Sequence, residues 1–386
     1  MFEEVAVAIG LLLVAYLFAQ VAGHAGLPPA AAIVLVGIAA GGMLPPTLQY
    51  SLTPGLLALF LPALIFEGAW DIDAAALRRV AVAIAVLAVP GVLLTAAGIA
   101  AAGALCGMTL VAALALGAIL CATDPIAVLA LFRSLSVPVD LLTIVEGESI
   151  ANDGVAVVLV QAVMTFASAA GAPSVWREIG TMAYVSTVGI AAGIALAALG
   201  TPLLRRWRSP WIGIATTLAV AYGSYFAAAA LGASGIFASA AAGIALPALA
   251  LERGERRAIE RFWDATALVA NGFVCLLVGL SLKLERIFHE PFLLLATLAA
   301  VVLTRGLLAF VLAPPAIRHV EARGWRHAIA LAGVRGGLSL ALALGLPYDF
   351  PLRAQVIDAV FAVVFTTFVV QGWALAPLLR RALATR

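Results

Sequence analysis

Charged residues are scarce in this chain. Only 11% of its 386 residues are Asp, Glu, Lys or Arg, whereas 64% are hydrophobic and the mean hydropathy is +1.13. A soluble domain of this length needs far more charge to cover its surface. The composition therefore excludes a soluble protein, and no basic patch indicates a nucleic-acid partner.

Residues that bind transition metals or act as nucleophiles are also few. The cysteines, Cys106, Cys121 and Cys275, lie in apolar runs without the spacing of metal ligands, so we interpret them as buried hydrophobic side chains. The four histidines fall at predicted loops or span ends. Because no nucleophile–base pair accompanies the acidic residues, the sequence predicts neither an enzyme nor a bound cofactor.

Long apolar stretches recur along the whole chain and predict an all-α polytopic membrane protein in a lipid bilayer. The first follows an acidic segment, so we interpret it as a membrane helix rather than a cleaved signal. The chain ends soon after the last stretch, and we expect no soluble regulatory domain. Breaks at charges, prolines and glycines give about thirteen spans, at 5–22, 28–44, 52–70, 79–105, 108–133, 140–169, 177–201, 210–230, 232–250, 262–283, 291–313, 325–346 and 353–379.

Basic residues alternate strongly between the predicted loops. Sixteen of the 22 Lys and Arg residues lie on one side of the spans, four lie on the other, and Arg305 and Arg335 lie within spans. The positive-inside rule makes the first side cytoplasmic, with the N-terminus outside and the C-terminus inside. Arginine outnumbers lysine in an Ala-, Leu- and Gly-rich chain, which favours a GC-rich prokaryote and its inner membrane.

Two spans are interrupted by helix-breaking sequence. The fifth contains Ala122-Thr123-Asp124-Pro125, where proline removes a backbone donor. The twelfth contains Gly333-Val334-Arg335-Gly336-Gly337. Broken helices at matching positions in two halves are typical of transporters built from inverted repeats. Spans 1–6 and 8–13 would form two inverted six-helix repeats.

Oxygen-bearing side chains cluster beside the first interruption. If the sixth span is helical, Ser149, Asn152 and Asp153 point into one sector. Their hard oxygen donors suit Na⁺ rather than soft metals. If this span packs beside the fifth, these side chains, Asp124 and the Thr123 carbonyl would surround a dehydrated monovalent cation.

Asp153 could carry either a proton or a cation. Burial in low dielectric favours a protonated carboxyl when no cation is bound. A carrier that crosses the membrane only with this site filled, by either ion, is an exchanger. The sequence thus predicts cation and proton competing for one carboxylate.

The two basic residues within spans need partners in a membrane. For Arg335 we expect Glu148 or Glu146, in a structural ion pair whose loss costs folding before ion selectivity. Arg305 has no evident partner in the sequence, and we favour structural pairing over a transport role.

Four segments together resemble sodium/proton antiporters of the NhaP/NHE type, the electroneutral branch of the monovalent cation:proton antiporters. The likeness covers nearly the whole membrane domain, in order and at the expected spacing. The segments are Phe66-Glu67-Gly68-Ala69, Thr123-Asp124-Pro125, Glu148-Ser149 followed by Asn152-Asp153, and Gly333–Gly337.

The resemblance implies an NhaA-like fold with thirteen spans and crossed unwound helices in the fifth and twelfth. It also implies a homodimer moving ions by an elevator-like motion. The dimerisation part would include 1–70 and 177–250, and the core part 79–169 and 262–379. The transported ions would be Na⁺ and H⁺.

The resemblance also implies roles for individual residues. Asp153 would bind cation and proton, with Asp124, Ser149 and the Thr123 carbonyl as co-ligands of the cation. Glu67 would assist through water or as a gate. Asn152 resembles the asparagine of the electroneutral branch, and Glu148 and Arg335 match a buried ion pair.

Other interpretations stay open. Asn152 and Asp153 could be a structural polar pair, Asp124 a helix cap, and Glu67 an exposed helix end. Exchange of K⁺ for H⁺ would use the same ligand types, and a cation or proton channel would conduct without alternating access. The inverted repeats and the lack of a repeated carbonyl filter argue against a channel.

Overall fold

The computed structural model describes residues 2–24, 29–42, 59–124, 128–129, 132, 135, 137–168, 175–207, 209–250, 253–281, 290–317 and 324–384. All regular secondary structure in these ranges is helical. The helices are α1 (Phe2–Gly23), α2 (Pro29–Gly41), α3 (Leu59–Trp70), α4 (Ala74–Leu105), α5 (Leu110–Leu120), α6 (Val139–Ser168), α7 (Val175–Arg206), α8 (Pro210–Ala230), α9 (Gly235–Ala250), α10 (Arg253–Ser281), α11 (Pro291–Leu312, followed by Ala313–Ala316), α12 (Trp325–Leu331), α13 (Gly337–Leu344) and α14 (Arg353–Ala384).

The helices have the length and surface of membrane spans. In the described ranges, six are long and apolar enough to cross a membrane: Ala74–Leu105, Val139–Ser168, Ile179–Arg206, Pro210–Ala230, Arg256–Leu280 and Pro291–Leu312. Large apolar side chains such as Leu105, Leu199 and Phe292 remain exposed on the outside. Such an exposed apolar surface is favourable in contact with lipid and unfavourable in water. The chain is therefore an integral membrane protein with several spans.

Apart from the two interrupted stretches and a few residues at their ends, the predicted spans fall on helices in the described ranges. The sixth was expected at 140–169 and runs from Val139 to Ser168, while the eighth has the predicted limits, 210–230. The tenth begins nine residues before the predicted residue 262, because an Arg256–Glu260 pair and the buried Ile259 continue its helix toward the N-terminus. Parts of the predictions, at 43–44, 52–58, 282–283 and most of 125–133 including Pro125, lie outside the described residues.

Two uncharged turns separate helices that hydropathy alone would merge. After α4, Gly107 has φ +87°, with Met108 N–H donating to Gly103 O at 3.1 Å. After α8, Gly232 has φ +69°, with Ala233 N–H donating to Ala228 O at 2.9 Å. These are Schellman motifs, in which glycine supplies the left-handed residue that ends a helix.

Helices α4 and α11 each contain a π-helical segment, and the two segments pack together. The segment in α4, Leu87–Gly91, includes Pro90, which lacks the N–H for regular α-helical bonding. The segment in α11 is Leu308–Leu312. A Cβ atom at Gly91 would lie 2.5 Å from Leu308 Cδ2. Glycine thus permits close approach of these helices beside the site described below.

Candidate functional site

The two interrupted stretches predicted from sequence lie against each other. One follows α5 at Cys121–Asp124, and the other, 332–336, separates α12 from α13. Asp124 N–H donates to Val334 O at 2.8 Å, and Ser339 Oγ donates to Ile119 O at 2.9 Å. Unpaired backbone groups at helix ends need partners when buried. The two interruptions thus provide hydrogen-bond partners for each other's backbone groups.

Asp124 is placed by the glycine-rich sequence opposite it. Its carboxylate packs directly on the backbone of Gly336, where any Cβ atom would overlap the carboxylate. Gly336 immediately precedes the first turn of α13. The side chain therefore lies at a helix N-terminus, whose partial positive charge favours an anion.

A cavity of ≈ 220 Å³ lies between these interruptions and the helices α3, α6 and α10. The lining residues from α3 and α10 are mostly apolar, and most of the polar lining groups come from α6 and the interruptions. The lining residues are Phe60, Leu61, Leu64, Ile65, Glu67, Gly68, Ala122, Thr123, Asp124, Leu129, Glu146, Ser149, Ile150, Asp153, Asn271, Val274, Gly336, Gly337, Leu338 and Ser339.

Five of the six residues predicted to bind ions line this cavity: Asp153, Asp124, Ser149, Thr123 and Glu67. Ser149 Oγ donates to the Thr123 carbonyl at 2.6 Å, so α6 packs beside the interruption as the sequence predicts. The carboxylates of Glu67, Asp124 and Asp153 are each partly accessible, whereas Glu146, a fourth acidic lining residue, is buried. The cavity therefore combines carboxylate, hydroxyl and carbonyl oxygens, the donors that suit Na⁺.

Asn152, the sixth predicted ion ligand, lies behind the cavity wall. It is 1% exposed, and its Nδ2 donates to Thr123 Oγ1 and Glu148 Oε1, both at 3.2 Å. Its Oδ1 is buried with no hydrogen-bond partner among the described residues. The structure does not bring Asn152 to the cavity surface, because its amide is used to connect Thr123 with Glu148.

The predicted Glu148–Arg335 ion pair is wrong. Glu148 instead binds Arg305 of α11 with both oxygens: Nη1 contacts Oε1, and Nη2 donates to Oε2 at 2.9 Å. Arg305 Nε also donates to Ile329 O at 2.9 Å, in the last turn of α12. The Arg305 side chain therefore reaches Glu148 from a helix that is distant in sequence, so proximity in sequence could not reveal this partner.

Arg335 occupies a different position. It is completely buried, its Nη1 donates to the Gly333 carbonyl at 2.9 Å, and its backbone N–H donates to Thr367 Oγ1 at 3.4 Å. Its Nε has no hydrogen-bond partner within the described ranges. These hydrogen bonds of Arg335 thus stabilise the backbone of the glycine-rich interruption.

Two polar lining residues were not identified from the sequence, Asn271 and Ser339, and Glu146 was expected only as a partner for Arg335. Asn271 could have been found, because it is an isolated amide in the apolar run of the tenth span, where polar groups are costly unless they face a cavity. Ser339 follows the glycine cluster by two residues, and nothing in its spacing predicts its contact with Ile119.

Comparison with known proteins assigns the chain to a family. Residues 8–381 match the model of the transmembrane sodium/hydrogen exchanger. The chain belongs to the sodium/hydrogen exchanger family, which confirms the resemblance drawn from its motifs. A solved structure, the sodium proton antiporter MjNhaP1 from Methanocaldococcus jannaschii at pH 8, has a TM-score of 0.79 at 20% identity over 99% of this chain and 100% of that one. At this identity the likeness shows the fold.

Two characterised relatives are similar in sequence. The Na⁺/H⁺ antiporter ApNhaP of Aphanothece halophytica is 33% identical over 333 residues, covering 83% of this chain and 64% of that protein. The Na⁺/H⁺ antiporter NhaS2 of Synechocystis sp. is 34% identical over 385 residues, covering 95% of this chain and 68% of that protein. The chain thus spans about two thirds of the length of these relatives.

Proposed function

We propose that this chain exchanges Na⁺ or Li⁺ for H⁺ across the membrane, with both ions competing for Asp153. The observation that carries the proposal is the cavity, which Asp153 and Asp124 line together with Ser149 and Thr123, and in which the Ser149 hydroxyl contacts the Thr123 carbonyl. The relatives named as Na⁺/H⁺ antiporters support the same function.

The site residues divide the work of exchange. The cation is held by the Asp153 and Asp124 carboxylates, with the Ser149 hydroxyl and Thr123 carbonyl replacing waters of hydration. When the cation leaves, a proton takes its place on Asp153. An empty, charged carboxylate is costly to move through low dielectric. Only the filled site therefore changes the side of the membrane to which it opens, and this constraint couples the two ions.

We expect transport to be electroneutral, one cation for one proton. Moving one net charge through 100 mV is worth about 2.3 kcal/mol, so an electrogenic carrier responds strongly to voltage. The test is the initial rate of exchange in proteoliposomes at zero potential and at a potential of about −100 mV set with valinomycin and K⁺. Equal rates are expected, and a several-fold change would contradict one-for-one exchange.

The proposed architecture is an NhaA-like fold with thirteen spans in two inverted six-helix repeats. Two pairs of features support it, each seven spans apart. The interruptions in the fifth and twelfth spans are joined by the Asp124–Val334 bond, and we interpret them as crossed broken helices. The π-helical segments of α4 and α11, in the fourth and eleventh spans, also pack together.

We further propose a homodimer, with 1–70 and 177–250 in a dimerisation part and 79–169 and 262–379 in a core part that moves. Helix α10 packs on α2 and α8 and also contacts α13 and α14, so it lies at the boundary between these parts. The distribution of basic residues supports an external N-terminus and a cytoplasmic C-terminus, and the Arg-, Ala-, Leu- and Gly-rich composition supports a prokaryotic plasma membrane.

The function is tested by the collapse of a preset pH gradient in proteoliposomes when Na⁺, Li⁺ or K⁺ is added separately. We expect a response to Na⁺ and Li⁺ that saturates with concentration and requires cation on the opposite side to the proton. A response to K⁺ alone would indicate K⁺/H⁺ exchange. Dissipation of either gradient without the counter-ion would indicate a channel, and no response would contradict antiport.

A further inference from the structure

We infer that Asn271, which lines the same cavity as Asp153, is a cation ligand and determines the apparent affinity for the transported cation. This inference rests on the proposed antiport. Among the described lining residues, those from α3 and α10 include two side chains with hydrogen-bonding groups, Glu67 and Asn271. A cation held by the two aspartates would therefore share its cavity with the Glu67 carboxylate and the Asn271 amide.

The orientation of Asn271 is fixed by its neighbours along α10. Gly272 packs on the Tyr16 side chain so closely that a Cβ atom would overlap the ring. Phe273 stacks on Phe60 of α3, with ring centroids 4.9 Å apart and planes at 19°. Val274 packs against Gly337 at the start of α13. These three contacts set the rotation of the helix, so Asn271 is held toward the cavity before any ion arrives.

The Asn271 amide can bind a cation, which an apolar side chain at this position could not do. Amide oxygens are hard, neutral donors that can replace water around a small cation. A second acidic group beside Glu67 would hold the cation more tightly and slow its release, whereas a neutral oxygen assists dehydration without adding charge. The amide would otherwise be an unfavourable residue in the centre of an apolar helix.

The test compares cation-dependent exchange by Asn271→Leu, Asn271→Asp and wild type in proteoliposomes, at saturating and limiting Na⁺. For Asn271→Leu we expect a KM for Na⁺ raised about five- to tenfold, or about 1 kcal/mol, at nearly unchanged maximal rate. Asn271→Asp keeps an oxygen and should have a KM at or below that of wild type. A merely structural role would give both variants the same KM as wild type or lower both maximal rates together, and either result would overturn the inference.

Thr266→Ala is the matched control. Thr266 lies on the same helix outside the cavity, and its hydroxyl donates to Phe262 O at 2.8 Å. Its KM should equal that of wild type. An elution profile in detergent checks that each variant is folded, and direct Na⁺ titration of purified Asn271→Leu detects weakened binding even if reconstitution fails. An active wild type with an unchanged Asn271→Leu KM refutes only this inference, whereas an inactive wild type refutes the antiport proposal.

Discussion

Asp153→Asn should abolish cation-dependent proton exchange, at least about a hundredfold, while the protein stays folded. The asparagine has nearly the same volume and keeps a polar group in the cavity, but it carries no charge that a cation or proton could neutralise. Loss of charge also removes the repulsion between two carboxylates in one cavity. We therefore expect an unchanged or higher melting temperature together with an exchange rate at the level of empty liposomes.

The measurement is the pH-gradient collapse on addition of Na⁺, made beside Asp140→Asn. Asp140 is on the same helix but outside the cavity, where it pairs with Arg79 at 2.7 Å near the surface. This control should exchange at the wild-type rate. Wild-type exchange by Asp153→Asn would show that the proton and cation are carried elsewhere.

The sequence predicts the position of a site residue where that position is set by a single helix or by a single helix interruption. Ser149 and Asp153 share a face of α6 because they are one turn apart, and the interruption at Thr123 follows from proline and its neighbours. Hydropathy and glycine positions together predict most helix limits, including the end of α4 before the uncharged turn at Gly107. Local patterns are sufficient for such features because they involve residues close in the chain.

Features that depend on packing between distant helices could not be predicted in this way. Asn152 shares a sector with Asp153 by spacing, yet its amide turns toward Glu148 and Thr123 and leaves the cavity. Arg305 reaches Glu148 across 157 positions of sequence. Ser339 reaches the Ile119 carbonyl across 220 positions of sequence. Each of these depends on which helices are neighbours, and a single sequence gives little information about neighbours.

The Arg305–Glu148 pair should contribute far more to stability than Arg335 does. Both partners are buried, at 5% and 1% side-chain exposure, so removing one leaves an uncompensated charge. Such a loss costs about 3–5 kcal/mol. Arg305→Met also leaves the Ile329 carbonyl without its donor, and we expect the apparent melting temperature in detergent to fall by roughly 5–15 °C.

Three further variants separate this explanation from its alternatives. Glu148→Gln combined with Arg305→Met removes both charges and should recover part of the lost stability. Arg79→Met removes a cation whose side chain is 57% exposed, and it should change the melting temperature little. Arg335→Met leaves Glu148 paired with Arg305, so its effect should be smaller than that of Arg305→Met. A larger effect of Arg335→Met would contradict the greater contribution expected of the Arg305–Glu148 pair.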